Sequence, residues 1–194
     1  MKLNNSFANK AKASEIRRSM SSFDRQLFLH HSYAMRIIWT IINLLPPFAR
    51  SLLFSRIFKS YGNKNMIDYG CYFRYPKKIS IGSDCSINRN CQFYASRKVA
   101  SAFIEIGNNV TIAPGVVFLG AGHDHGSISL SDIAASIVVE DNVWIGASSI
   151  IRYGVTISKN AVVAAGSVIV QDVGRNEIVG GNPARLIRMR EIQN

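Results

Sequence analysis

The amino-acid sequence predicts a mainly β protein, a parallel β-helix of hexapeptide repeats with an N-terminal helical region and a short C-terminal tail. The first observation is a six-residue period of aliphatic residues that begins at Val139. The second is a small or β-branched residue four positions after these aliphatic ones. Two inward positions per hexad, with turns rich in Gly or Asn between them, suit a triangular coil in which three hexads make one turn. The aliphatic series is Val139, Ile145, Ile151, Ile157, Val163 and Ile169, and the second series is Val143, Ser149, Val155, Ala161 and Ser167.

The same period extends towards the N-terminus and is interrupted twice. It occurs at Ile106, Ile112 and Phe118, at Ile81, Ile87 and Phe93, and at Ile67 and Phe73. The interruptions near residues 94–103 and 119–137 are predicted as external loops, and such loops are where the function of a regular solenoid is sought. We therefore expect a β-helical domain over residues 65–194, including a tail over residues 175–194.

Residues 1–64 are predicted to form a basic, amphipathic helical region. An apolar stretch from residue 33 to residue 58 is broken by Pro46-Pro47, which indicates a helix, a break and a second helix. Residues 1–60 carry ten basic and two acidic side chains, and so most of the formal net charge of +11. The apolar face could lie on an anionic membrane or pack on the neighbouring domain or another subunit. The aromatic side chains that would enter a membrane interface are Trp39, Phe48, Phe54 and Phe58.

Other partners and compartments are disfavoured by what the sequence does not contain. No recognised helix or aromatic-sheet motif accompanies the basic charge, so nucleic-acid binding is not expected. Neither a bilayer-spanning apolar run nor a signal peptide is recognisable. We expect a cytoplasmic protein, or one held peripherally at the inner face of the membrane if residues 1–60 bind lipid.

The cysteines are predicted to be structural. Cys71, Cys85 and Cys91 lack the spacing of a zinc site and are too few for a disulfide scaffold. Cys85 and Cys91 fall on the second inward position of successive hexads, so we expect two small core residues that face different sides of the coil without a disulfide.

Three motifs carry a resemblance to a known family. They are Asp-Asn-Val-Trp-Ile-Gly at 141–146, Ala-Ala-Gly-Ser at 164–167 and Gly-Asn-Pro-Ala-Arg-Leu-Ile-Arg at 181–188. With them, roughly residues 67–188 resemble the hexapeptide-repeat acyltransferases, especially the maltose, galactoside and bacterial polysaccharide O-acetyltransferases. The resemblance implies a left-handed β-helix, acetyl-CoA as the acyl donor, and a homotrimer with active sites between subunits. Residues 44–50 resemble a segment of enzymes that decorate capsule, lipopolysaccharide or exopolysaccharide.

The resemblance implies His123 as the catalytic base, in the motif Gly-Ala-Gly-His-Asp-His-Gly at 120–126. A neutral imidazole can take the proton from a sugar hydroxyl as its oxygen attacks a thioester. His125 competes for this role, although the spacing from the preceding hexads favours His123. Asp124 could orient an imidazole or simply form the loop turn. The resemblance also aligns Asn88 with an asparagine that holds the acceptor in this family.

The resemblance also implies a coenzyme groove between adjacent coils. Trp144 would flank the pantetheine arm, or else be a partly buried structural residue. The backbone amide of Ala147 would donate to the thioester oxygen as charge develops on it. The remaining groove positions are Ala165 and Val170 for pantetheine, and Arg185 and Arg188 for the nucleotide phosphates.

A metal site is the principal rival on this fold, because some β-helical proteins resemble carbonic anhydrases with three histidines on zinc. The chain contains His30, His31, His123 and His125, of which the first two belong to the helical region. Two neighbouring loop histidines do not supply three converging ligands, so we expect no metal.

Together these observations favour an acetyl-CoA-dependent O-acetyltransferase that acts on a sugar hydroxyl in the biosynthesis of a bacterial surface polysaccharide. The closest alternative is an N-acetyltransferase of an amino sugar nucleotide. A non-catalytic β-helix scaffold is a third hypothesis, against which the presence of both His123 and Arg185 argues.

Overall fold

The computed structural model describes residues 22–126 and 128–191, and its polypeptide begins with two helices. Helix α1 (Ser22–Leu44) ends just before Leu45-Pro46, because a residue that precedes proline disfavours the helical conformation. Helix α2 (Pro47–Ile57) begins with proline, whose missing N–H is not needed in the first turn. The predicted sequence of helix, break and helix is confirmed.

The strands that follow are short, as hexapeptide repeats require. In chain order they are β1 (Ser60–Tyr61), β2 (Met66–Ile67), β3 (Tyr72–Arg74), β4 (Ile79–Ile81), β5 (Ser86–Ile87), β6 (Gln92–Tyr94), β7 (Ile104–Ile106), β8 (Thr111–Ile112), β9 (Val117–Leu119), β10 (Ala121–His123), β11 (Asp132–Ala134), β12 (Ile137–Val139), β13 (Trp144–Ile145), β14 (Ile150–Arg152), β15 (Thr156–Ile157), β16 (Val162–Val163), β17 (Val168–Ile169), β18 (Glu177–Gly181) and β19 (Ala184–Met189).

These strands stack into three parallel sheets, one for each side of a triangular coil. The first sheet contains β1, β4, β7, β12 and β15 in that order. The second runs from β2 through β5, β8, β13 and β16 to β18, and β19 adds to its end as an antiparallel strand. The third contains β3, β6, β9, β14 and β17. Strands β10 and β11 form a separate antiparallel hairpin outside the coil.

The core confirms the predicted inward positions. Aliphatic residues of the six-residue series are buried throughout, and the smaller series, including Ser149 and Ser167, is equally inaccessible. In the third sheet, Phe73, Phe93 and Phe118 stack on one another with ring centroids 4.7 and 4.5 Å apart. Each coil thus buries its side chains against the coils above and below it.

A ladder of asparagines forms the corner between the first and second sheets. The side-chain amides of Asn109, Asn142 and Asn160 each donate to the amide oxygen of the next asparagine, over 2.9, 3.0 and 2.9 Å, and the ladder ends at Asn176. All four residues have a positive φ, between 53° and 63°. Asparagine is one of the few non-glycine residues that tolerates this left-handed conformation, which explains its recurrence in these turns.

The helices cover the open N-terminal end of the coil, and this overturns part of the membrane interpretation. Trp39, Phe54 and Phe58 are 1–4% exposed and pack on Phe73 of the first coil, with ring centroids 5.0–6.3 Å from it. The prediction that these three residues enter a membrane interface is therefore wrong, because burying aromatic area against the coil already removes it from water. Only Phe48 of the four lies exposed.

Arg50 ties helix α2 to the coil. Its guanidinium is buried and donates hydrogen bonds to the carbonyl oxygens of Ile67 and Asp68, at 3.1 and 3.2 Å. It also lies 4.1 Å from the ring centroid of Tyr69. Neither of the described helices is long and apolar enough to cross a membrane.

Cys85 and Cys91 lie in the core as predicted, Cys71 is buried there as well, and all three thiols are free. Burial raises the pKa of the Cys85 thiol, which keeps it protonated and unreactive. Its Sγ lies 3.1 Å from the carbonyl oxygen of Gly107 in the next coil.

Candidate active site

His123 lies at the end of β10, in the long segment between the third and first sheets. The hairpin register places it directly opposite Asp132 of β11. The preceding Gly122 lies against Tyr153, since a Cβ atom there would be 2.5 Å from the tyrosine Cε1. Because residue 122 has no side chain, the hairpin can approach the coil closely, and this contact sets the position of the His123 backbone.

Two oxygens hold the His123 imidazole through the same ring nitrogen. Nδ1 lies 2.9 Å from the carbonyl oxygen of Leu130 and 3.3 Å from Oδ1 of Asp132. A backbone carbonyl can only accept a hydrogen bond, so in the neutral ring Nδ1 carries the hydrogen and donates it. Nε2 then carries the lone pair, which is the arrangement that a general base needs.

Asp132 also joins the two loops that were predicted from the breaks in the repeat. Its second carboxylate oxygen forms an ion pair with Nζ of Lys98, which lies in the segment between β6 and β7. A small cluster of buried side chains from both segments, Val99, Ala102 and Ala134, packs beside this contact. The pairing of the loops therefore fixes the position of the carboxylate next to His123.

The neighbours of His123 in sequence have other surroundings. The Asp124 carboxylate accepts a hydrogen bond from the amide of Gly126 at 2.9 Å, and the Asp124 amide donates to the carbonyl of Ser131 at 2.8 Å. This is the geometry of a loop turn, the alternative role for Asp124. His125 is exposed in the same turn and does not line the cavity beside His123.

A cavity of about 1000 Å³ opens beside His123, between the two loops and the start of α1. Aromatic side chains and cations line it together with the hairpin residues. The aromatic residues are Phe28, Tyr75 and Tyr94, and the cations are Arg74, Arg97 and Lys98. Its size and its mixed apolar and polar lining are typical of a small-molecule binding site.

Asn88 lies at a different corner of the coil, between the second and third sheets. Its side-chain amide donates to the carbonyl oxygen of Ile112 at 2.9 Å, and its backbone amide donates to the same oxygen. The side-chain nitrogen is thus engaged in holding one coil on the next. Within one chain, Asn88 does not line the cavity at His123.

All the predicted coenzyme residues except Val170 lie at that second corner or on the second sheet beside it. Trp144 is half exposed at the start of β13, paired with Thr111 and Val162. Ala147 and Ala165 occupy equivalent turn positions in successive coils, and neither backbone amide donates a hydrogen bond to another described residue. Two adjacent free N–H groups form a ready donor pair for a carbonyl or amide oxygen of a ligand.

Arg185 and Arg188 lie on β19, the last strand of the second sheet. Both are exposed, and among the described residues each guanidinium donates only to a neighbouring backbone carbonyl, Arg185 to Ala184 at 2.8 Å and Arg188 to Met189 at 3.2 Å. They are therefore free to meet phosphate groups. Val170 is half-buried and follows β17, at the corner from which the His123 segment also leaves.

The single chain consequently holds two separated halves of the predicted site. His123 belongs to the corner between the third and first sheets, whereas Ala147 and Ala165 belong to the corner between the second and third. Among residues 22–126 and 128–191, no group of three or more His, Cys, Asp or Glu side chains is arranged to hold a metal ion.

Comparisons with known proteins point to one class of enzyme. A family profile described as the hexapeptide repeat of succinyl-transferase matches residues 136–171. Galactoside O-acetyltransferase from Escherichia coli is 34% identical over 142 residues, which cover 72% of this chain and 68% of that protein.

Solved structures extend the similarity. A hexapeptide-repeat-containing acetyltransferase from Vibrio cholerae, complexed with acetyl coenzyme A, is 31% identical with a TM-score of 0.73, over 96% of this chain and 98% of that one. A maltose O-acetyltransferase from Clostridium difficile is 29% identical with a TM-score of 0.75, over 86% and 89% of the two chains. The similarity to the Vibrio cholerae protein includes the N-terminal helices as well as the coil.

Proposed function

Because this chain belongs to the hexapeptide-repeat acetyltransferases, we propose that it transfers the acetyl group of acetyl-CoA directly to a sugar hydroxyl. Family membership confirms the left-handed β-helix and the acyl donor that the resemblance implied. The observation that carries the sugar O-acetyltransferase proposal is the His123 imidazole, held at Nδ1 by Leu130 and Asp132 beside a cavity of about 1000 Å³. The galactoside and maltose specificity named for two relatives supports a sugar acceptor.

In the proposed reaction, His123 acts as the general base. Its Nε2 takes the proton of the acceptor hydroxyl as the oxygen forms a bond to the thioester carbonyl carbon. The imidazolium then returns this proton to the departing sulfur as the carbon–sulfur bond breaks, so that free coenzyme A leaves. The Leu130 carbonyl keeps the ring orientation throughout, and the Asp132 carboxylate stabilises the transient positive charge.

The second corner would bind the coenzyme and assist the transfer. The free amide of Ala147 is proposed to donate to the thioester oxygen as negative charge develops there. The Ala165 amide would contact the pantetheine arm at this corner, and Val170 would contact it from the corner of the His123 segment. Arg185 and Arg188 would bind the nucleotide phosphates, for which guanidinium groups are well suited.

Since these two halves are separated in one chain, we propose that the active site forms between subunits of a homotrimer. His123 of one subunit would then act on the thioester bound beside Trp144 and Ala147 of its neighbour. The exposed apolar side chains of Trp144, Leu186 and Ile187, each 51–59% accessible, are available to such an interface.

Mixed trimers test this arrangement. Co-expression of a His123→Ala chain with an Arg185→Ala/Arg188→Ala chain places an intact base beside an intact groove in about a quarter of randomly assembled interfaces. At low acetyl-CoA, the mixture should therefore recover about a quarter of the wild-type rate, while either variant alone stays nearly inactive. No recovery in confirmed mixed trimers would show that each chain carries a complete site.

The acetyl-transfer proposal itself is tested by release of the coenzyme thiol with free sugars, oligosaccharides and amino sugar nucleotides as acceptors. We expect release with a sugar hydroxyl acceptor, its loss in His123→Ala, and an O-acetyl ester that mild base removes. A base-stable product that requires an amine would instead establish N-acetylation. Absence of release with every acceptor, despite tight acetyl-CoA binding, would favour the scaffold hypothesis.

We further propose that the acceptor belongs to a surface polysaccharide and that the helices attach the enzyme to the inner face of the membrane. Membrane attachment is supported by an apolar face of α1 and α2 that does not pack on the coil. Its exposed side chains include Ile41, Leu44, Phe48 and Leu52. Co-sedimentation with anionic vesicles at low salt, reduced by Leu44→Ser and Phe48→Ser, is the expected result. A protein that stays in the supernatant at low salt would contradict membrane attachment.

A further inference from the structure

The cavity at His123 has an excess of positive charge. It is lined by the cations Arg74, Arg97 and Lys98 and by the single carboxylate of Asp132. Lys98 and Asp132 neutralise each other in their ion pair. Among the residues whose side chains the structure describes, neither Arg74 nor Arg97 has a carboxylate partner, so these residues leave two guanidinium groups beside the proposed base without a compensating charge.

Both guanidinium groups lie against the ring of Tyr75. The Arg74 guanidinium carbon lies 4.7 Å from the ring centroid of Phe28 and 5.2 Å from that of Tyr75. The Arg97 guanidinium carbon lies 5.5 Å from the same Tyr75 ring. Stacking on a ring occupies the flat face of a guanidinium and leaves its N–H edge free to donate. Two like charges converge on one tyrosine, an arrangement that an anion would stabilise.

A buried hydroxyl in the same wall also lacks a partner. Ser131 is 8% exposed, lines the cavity next to Asp132, and its Oγ has no hydrogen-bond partner among the described residues. A buried polar group without a partner is costly, so a polar ligand that reached it would be favoured.

We propose that the acceptor is an anionic sugar, with a phosphate or carboxylate group held by Arg74 and Arg97 while the hydroxyl to be acetylated lies at His123. This inference rests on the proposed acetyl transfer and narrows its substrate class. The N–H donors of each guanidinium group match the geometry of both anions. A neutral acceptor would offer these two cations no negative charge.

Calorimetric titration of the full-length protein, saturated with coenzyme A, tests the proposal without relying on turnover. The probes are methyl glucoside, glucose 1-phosphate and glucuronic acid, which differ in charge and in the type of anion. We expect at least one anionic sugar to bind about tenfold more tightly than the neutral one, and added salt to reduce the difference. The tighter of the two anionic probes identifies the anion.

Two variants and one control assign the effect to the cavity. Arg97→Gln removes the positive charge of an exposed side chain, and Arg74→Gln removes the second positive charge. Each variant should bring the affinity for the anionic sugar close to that for the neutral one. Arg56→Gln changes the net charge equally, but Arg56 is exposed on α2 and lies outside the cavity, so this variant should retain the preference. Equal or undetectable binding of all three probes, or a preference that survives both cavity variants, would overturn the inference.

Turnover of the same probes with acetyl-CoA separates this inference from the proposed function. Anion-selective binding that Arg97→Gln abolishes, without thiol release from any acceptor, would contradict acetyl transfer and retain the anion site. Thiol release that depends on His123 but shows no charge preference in rate or binding would retain acetyl transfer and overturn the anion site.

Discussion

Asp132→Asn distinguishes the two oxygens that hold the His123 imidazole. The closer acceptor of Nδ1 is the Leu130 carbonyl at 2.9 Å, and the Asp132 oxygen lies at 3.3 Å. The substitution removes a negative charge but leaves the hydrogen bond from Nδ1 to the Leu130 carbonyl. The tautomer whose Nε2 carries the lone pair therefore persists. What is lost is the attraction between the carboxylate and the imidazolium that forms during the reaction.

The expected loss is small because the pair is accessible to water. The His123 side chain is 62% exposed and that of Asp132 is 31% exposed. Ion pairs at such positions contribute at most about 1 kcal/mol, or about fivefold in rate. Asp132→Asn should therefore lower kcat by no more than about fivefold and leave the KM for acetyl-CoA unchanged. His123→Ala removes the base itself and should lower kcat by about a hundred- to ten-thousand-fold.

Initial rates of thiol release at saturating acetyl-CoA measure both losses with one acceptor. His125→Ala is the matched control, since it removes the same side chain two residues away, outside the cavity, and should retain a near wild-type rate. If Asp132→Asn lost as much activity as His123→Ala, the carbonyl would not be sufficient to orient the ring. A larger loss in His125→Ala than in His123→Ala would refute the assignment of the base.

Three further predictions concern the coenzyme, the core and the thiols. Arg185→Ala and Arg188→Ala should raise the KM for acetyl-CoA more than they lower kcat, as initial rates over a range of acetyl-CoA would show. Phe93→Ala should lower the free energy of unfolding in urea by about 3–5 kcal/mol, because its fully buried ring stacks between two others, and Phe93→Leu should cost less. A chromogenic disulfide reagent should detect no protein thiol before denaturation and three per chain afterwards, because burial holds the pKa of Cys85 high and encloses the other two cysteines.

The coil could be predicted from the sequence because its geometry repeats. Val139 and the residues at six-residue intervals after it must all point inward. Because this requirement for burial recurs at every interval, the period can be recognised in the sequence. The same regularity makes the breaks visible, since residues 94–103 and 119–137 do not satisfy it. His123 could therefore be located in a segment outside the repeat before its contacts were known.

The contacts of His123 could not be predicted because they depend on the register of a hairpin that lies outside the period. Asp132 follows His123 by nine residues, and only the pairing of β10 with β11 brings the two together. The adjacent Asp124 offered a simpler partner in the sequence, but its carboxylate bonds to Gly126. The turn chemistry of Asp, Gly and Ser in this segment was a usable signal for a turn, although not for the register.

The helices show the corresponding limit of amphipathicity. An apolar face predicts burial but does not identify the surface that buries it. Trp39 and Phe54 pack on the first coil, while Phe48, a few residues away, remains exposed. The difference depends on the direction that α2 takes after Pro46. The buried Arg50 fixes this direction by donating hydrogen bonds to the first coil.

The acceptor side of the site is built from residues of successive coils that lie at one corner of the triangle. At the corner between the third and first sheets, the first coil supplies Arg74 and Tyr75, the second supplies residues 95–103, and the third supplies residues 120–136 with His123. The next coil makes a tight turn there, and its Tyr153 supports Gly122. Because coils stack in fixed register, residues far apart in sequence meet at this corner whenever their coils are adjacent. Insertions at one corner can thus change the acceptor while the asparagine ladder and the free amides at the other corners stay in place, which separates acceptor specificity from coenzyme binding.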